Sequence, residues 1–184
     1  MTNEKNIPLA YIMTCRTYAT WLHGDERTSV DRHHNIFLTP RIKHNPMRHN
    51  AMKNLCSETP FLLNESQRDV VLQSIIDTCA FSHWHLHAAH VRSNYLHIVV
   101  QAEKAPERVA ISFKANATRY LKELNPELNR KKFWSKGQSV AHIFQSENLL
   151  RAIQYTAEEQ GKKMACYCEP GYYKLIDKPK NVQV

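Results

Sequence analysis

Between Trp84 and Gln101 the chain runs through two stretches of β-forming residues parted by Arg92, Ser93 and Asn94, a polar break that reads as a hairpin turn. This pair of strands constrains the fold more than any other feature, because the two must lie side by side and antiparallel. Side chains alternate along a strand, so Tyr95, His97 and Val99 share one face while Leu96, Ile98 and Val100 share the other. The result is a polar pair, Tyr95 and His97, on an otherwise apolar strand. The turn length decides what faces that pair. If Ser93 and Asn94 alone form the turn, Arg92 faces Tyr95 and His90 falls opposite His97; a three-residue turn puts His87 and Ala89 on that face instead.

Around the hairpin the remaining elements follow from local signals. Leu9 to Cys15 reads as a first strand. Thr20 to Pro46 is polar, rich in Arg and His and without a sustained period, so it reads as a long loop with one short strand at Asn35 to Leu38; His33, His34, Arg41 and Lys43 are candidate backbone contacts there. Asn64 and Gln67 have capping-box spacing ahead of an amphipathic helix that runs to about Phe81. Pro106 opens a second helix, in which Val109, Phe113, Ala117, Tyr120, Leu121 and Leu124 form an apolar stripe and leave Lys114, Arg119 and Lys122 outside it. Val140 to Phe144 reads as a strand. Ser146 is a good N-cap for a last helix, which would run to about Gln160 and stop at Gly161. This order predicts an α+β fold, a mainly antiparallel sheet with helices packed mainly on one face. Residues 1–173 are expected to form a single domain and 174–184 a weakly ordered tail.

Composition narrows the function classes. With 184 residues the chain can bury a real core, and no apolar run approaches the roughly 18 to 20 residues that a membrane span needs. Residues 1–9 hold Glu4, Lys5 and Pro8 and no apolar signal core, so export is not expected. Lys plus Arg outnumber Asp plus Glu by 25 to 17, and the natural partner of such a surface is a polyanion. The five cysteines are odd in number and scattered, which argues against a disulfide scaffold. Cys166 and Cys168 would make half a zinc site, but no second ligand pair follows them.

On a helical wheel Leu149, Leu150, Ile153 and Ala157 cluster on one side, whereas Arg151, Tyr155 and Glu159 lie opposite. Tyr155 therefore stands off the core stripe, where a phenol usually just lies along the surface. The sequence around it changes that weighing. RTYATWLHGDERTSVDRHHN at 16–35, VRSNYLHIVVQAEKAPERV at 91–109, FKANATRYL at 113–121 and LLRAIQYTAEEQ at 149–160 resemble, in order, the successive blocks of the tyrosine transposases of the HUH single-strand nuclease superfamily, including the REP-associated ones.

That resemblance implies a ferredoxin-like HUH fold and binding of single-stranded or hairpin DNA by a homodimer. It further implies metal-dependent cleavage and rejoining through a 5′-phosphotyrosine, as in DNA transposition; with no export signal in the sequence, the expected location is cytoplasmic, on the nucleoid when DNA is bound. It makes Tyr155 the nucleophile, His97 a metal ligand and Glu159 or Gln160 the ligand from the helix, Glu159 being favoured because i and i+4 share a face. The chemistry is consistent with these types. A phenol is a poor nucleophile near neutrality, so a divalent Mg2+ or Mn2+ must polarise the scissile phosphate. One departure matters: Tyr95 stands where the family's motif has its first histidine, and a neutral phenol is a weak ligand. His90 is the possible substitute if the turn has two residues. His85-Leu-His87 is itself a histidine-hydrophobic-histidine string, but it precedes the turn and does not sit at the motif position.

Three readings follow. The first is an active strand transferase. The second is a host-retained protein that grips structured single-stranded DNA but cleaves poorly because Tyr95 has weakened the metal site. The third, more remote, is a small zinc protein organised by its histidines and Cys166 and Cys168. For either DNA-binding reading Arg92, Lys114, Arg119, Lys131 and Lys132 are the nominated DNA contacts.

Overall fold

The computed structural model describes residues 7–26 and 43–172. The strand expected at 35–38, the loop residues His33, His34 and Arg41, and the tail at 174–184 lie outside the described residues. Five strands, β1 (Ala10–Arg16), β2 (His85–Val91), β3 (Tyr95–Gln101), β4 (Ser139–Ile143) and β5 (Ala165–Cys168), form one sheet in the order β4-β1-β3-β2-β5. Every pairing is antiparallel. The helices are α1 (Pro46–Asn54), α2 (Glu65–Ser82), α3 (Pro106–Leu124) and α4 (Ser146–Ala157). Leaving aside α1, the succession β1-α2-β2-β3-α3-β4 is the split βαβ arrangement of ferredoxin-like folds. The expected α+β architecture is observed.

The alternation read in β3 sorts the core into two layers. Leu96, Ile98 and Val100 pack with Val71, Ile75, Phe113 and Leu121 of α2 and α3. Val99 faces the other way, onto Ile153 of α4 with Ala10, Ala88, Ile143 and Tyr172. Helices thus lie mainly, but not wholly, on one face: α2 and α3 share one side and α4 stands alone on the other. The reason is size. A stripe of small and β-branched residues on the second face suits one short helix, whereas the long helices carry the aromatic and leucine bulk.

Local chemistry accounts for most boundaries. The Asn64 side chain accepts from the Gln67 backbone N–H at 2.9 Å and the Gln67 side chain accepts from the Asn64 backbone N–H at 3.0 Å, a complete capping box. β1 and β4 are each displaced by one residue from expectation, and α4 differs at both ends. Ser146 is the first helical residue of α4, and the extended Gln145 precedes it without a side-chain cap. The helix ends at Ala157, short of Gln160, and Gly161 then takes the left-handed conformation at φ 73°. Two elements were not expected: α1, which buries no residue and so has no apolar stripe to read, and β5, four residues long and half-buried throughout.

Candidate functional site

The turn between β2 and β3 is the two-residue one. The Arg92 N–H donates to the Tyr95 carbonyl at 2.8 Å and His90 is paired with His97. Across the other edge of β3, β1 places Thr14 against His97, and the Thr14 hydroxyl meets the His97 Nδ1 at 2.8 Å. α4 crosses this face, bringing the Tyr155 ring to 5.4 Å from that of His97, centroid to centroid, while the Tyr95 ring lies 4.9 Å from it. Tyr155 remains 42% exposed, so its phenol is open to a ligand arriving from solvent. Tyr95, His97 and Tyr155, separated by up to 60 positions along the chain, are thus gathered at one place.

Gln160, not Glu159, completes the group. The last regular residue of α4 is Ala157, and although the Glu159 N–H still donates to the Tyr155 carbonyl at 3.3 Å, Glu159 is exposed. Gln160 is buried; its Nε2 donates to the Tyr155 carbonyl at 2.7 Å, and its Oε1 accepts from the Tyr95 hydroxyl at 3.2 Å. Burial pushes His97 down to about 4, helped by the facing His90 and by Arg92, so the imidazole is neutral near neutrality. Of the two helix-end residues expected as ligands, Gln160 is the one whose side chain lies against Tyr95.

His90 stands in the right register but is otherwise occupied. Its Nδ1 donates to the Thr156 carbonyl at 3.0 Å and its Nε2 accepts from the Met164 N–H at 3.2 Å. Those two bonds fix one neutral tautomer and use its single acceptor lone pair, so His90 has nothing left to give a cation. The proposed substitution for Tyr95 therefore fails in this arrangement. Among the described residues, what remains for a hard divalent ion is one neutral imidazole, one amide oxygen and one phenol, with no carboxylate grouped with them. That donor set does not fit Mg2+ or Mn2+, which favour carboxylate and water oxygens.

Of the nominated basic residues, Arg92 lies at this site, donating to the Lys162 carbonyl. Lys114 and Arg119 ride on α3, on the opposite side of the sheet. Lys114 Nζ donates to the carbonyls of Ser135 and Gly137 and to Gln138 Oε1, so it ties down the loop before β4. Arg119 pairs with Glu123 at 3.0 Å on the solvent side. Lys131 and Lys132 donate their backbone N–H groups to Glu58, and Lys132 Nζ lies over the Tyr18 ring. The five do not form one surface around Tyr155. Thr14, Thr156 and Met164 were missed, since partners reached across a sheet leave no signal in local spacing. Lys43, the one loop candidate among the described residues, is exposed and precedes α1.

A further group of ligand-type side chains lies elsewhere on β2. His85 Nε2 meets Glu169 Oε2 at 2.7 Å and His87 Nδ1 meets Glu169 Oε1 at 2.8 Å. Cys166 and Cys168 are free thiols that do not belong to it.

The sequence profile of the IS200-like transposases matches residues 55–159, more than half of the chain, and includes Tyr95, His97 and Tyr155. The chain belongs to that family. Among solved structures, it is similar to a REP-associated tyrosine transposase bound to a REP hairpin, with 10% identity over 85% of this chain and 69% of that one and a TM-score of 0.46. It is also similar to a candidate transposase from Deinococcus radiodurans, with 14% identity over 84% of this chain and 93% of that one and a TM-score of 0.47. No match was found among curated proteins. Among the described residues no helix is long and apolar enough to cross a membrane.

Proposed function

We propose that this chain is a transposase-family protein that binds structured single-stranded DNA, hairpins in particular, beside Tyr155, and that its metal-dependent cleavage is impaired. Family membership supports the DNA partner. The observation that carries the impairment is the contact between the Tyr95 hydroxyl and Gln160 Oε1, which closes a hydrogen-bonded network over the place where the family's paired imidazoles would act, with His90 unable to replace the missing one. Tyr155 is still exposed next to a neutral imidazole, so the residue that would carry a 5′-phosphotyrosine is retained. Assembly as a homodimer and residence in the cytoplasm, on the nucleoid when DNA is bound, belong to the same reading.

The test is a nicking assay on hairpin oligonucleotides, run beside a calorimetric manganese titration for the natural protein, Tyr95→His and His97→Ala. The natural protein should bind manganese weakly and nick slowly. Tyr95→His should tighten the ion and raise cleavage, and His97→Ala should cancel that gain. Brisk manganese-dependent nicking by the natural protein, unimproved by Tyr95→His, would overturn the impairment and leave the active strand transferase.

A further inference from the structure

His85, His87 and Glu169 are arranged as ligands around a common point, and they take no part in the site just described. Each offers one nitrogen or oxygen, and these atoms lie within 4.8 Å of one another. Their convergence is built by the backbone. The register between β2 and β3 slips between Leu86 and Ala88, leaving His87 as an extra residue without a partner on β3. The two imidazoles come to 4.4 Å, centroid to centroid. On the other edge the Glu169 N–H donates to the His87 carbonyl at 2.9 Å, which carries the carboxylate just past the end of β5 and over both rings.

We propose that this seam between β2 and β5 binds a borderline divalent transition ion of the zinc class, separately from the Tyr155 site. Two imidazoles and a carboxylate are a donor set that such ions take with a fourth position left open, and that Mg2+ does not seek. The His85 side chain is 57% exposed, which gives the ion a way in and leaves room for water at the fourth position, whereas His87 is buried and held in place. Both histidines hold the Glu169 carboxyl below the usual range despite its partial burial, so a carboxylate oxygen is on offer to the ion. The imidazole N–H groups of His85 and His87 donate to the Glu169 carboxylate. The ion would take those two nitrogens, each proton passing to the ring's other nitrogen or to solvent, and would cross-link the two strands, so its binding is coupled to the attachment of β5. His90 lies three positions beyond His87 along β2, about 10 Å of strand, too far for one ion to serve both places.

The full chain, stripped with EDTA, is titrated with zinc chloride by calorimetry and melted with and without zinc. We expect one equivalent bound and a higher melting temperature. His85→Ala, at an exposed position, should weaken that equivalent by more than about tenfold, as should Glu169→Gln, whose amide keeps the shape but not the charge. His97→Ala should leave it intact, which also separates this site from the proposed DNA-cleaving one. Absence of tight zinc, or zinc binding that survives both His85→Ala and Glu169→Gln, overturns the proposal, as does equal loss in His97→Ala. Circular dichroism of each variant separates a lost ligand from a lost fold.

Discussion

Tyr95 and His97 show how one side chain can redirect a site whose backbone is otherwise ready. The phenol is long enough to reach Gln160 and neutral enough to rest there, so the group is satisfied without an ion. Removing only the nucleophilic oxygen tests the neighbouring residue: Tyr155→Phe should abolish covalent protein-DNA species on denaturing gels while leaving hairpin affinity within a few fold. An attached species that persists in the variant would exclude Tyr155. Burial of His97 also has a sign in pH. Its folded value of about 4 lies below the unfolded value near 6.5, so the unfolded chain takes up the proton first. Stability from this residue is complete above about pH 6.5, falls as pH drops and levels off below about 4, with a total loss on the order of 3 kcal/mol. His90, lowered by burial as well, acts in the same direction. Denaturation midpoints taken between pH 7 and 4.5 should fall less steeply in His97→Gln than in the natural protein.

At the scale of elements, the stability of α2 rests on its entry. Asn64→Ala removes an acceptor from the Gln67 N–H and should lower stability by about 1 kcal/mol, read as a shift in urea midpoint at unchanged slope. Gln67→Ala should cost a similar or smaller amount, and the double variant less than the sum, because the two bonds form one reciprocal unit. The hairpin illustrates a different control. A turn of two residues sets the register of β2 against β3, and a slip of one residue would turn His90 away from His97 and send Val91 out of the core. Farther along the same pair, the irregularity at His87 places that side chain against Glu169.

For the whole molecule, a net charge of +8 draws DNA, but the sheet divides the nominated cations between its two sides. Arg92 stands by Tyr155, whereas Lys114 is engaged with three backbone or side-chain oxygens on the far side. Hairpin affinity should therefore fall with salt, by roughly 0.7 in log slope for each phosphate neutralised. Arg92→Ala should flatten that slope. Lys114→Ala should leave it nearly unchanged and instead lower the melting temperature, because the loop before β4 loses its tether. A fluorescence-anisotropy salt series with these two variants measures both; equal flattening by Lys114→Ala would show that α3 also meets DNA.

Much of this was legible in the chain itself. β3 was read from Tyr95 to Gln101 as observed, and α2 and α3 were read from a capping box, a proline and an apolar stripe, because these signals act over a few residues and need no distant partner. The family resemblance, carried by ordered blocks, marked Tyr155 and His97 and the departure at Tyr95. Tertiary structure decided the rest. Whether His90 is available depends on Thr156 and Met164, more than sixty positions away. That Gln160 rather than Glu159 meets Tyr95 is a contact made across 65 positions, and β5 exists because β2 offers an open edge, not because four residues prefer to be a strand. The pairing of His85 and His87 with Glu169 has the same origin: two histidines and a carboxylate more than eighty residues apart become a candidate metal centre only when an edge strand lays one beside the other.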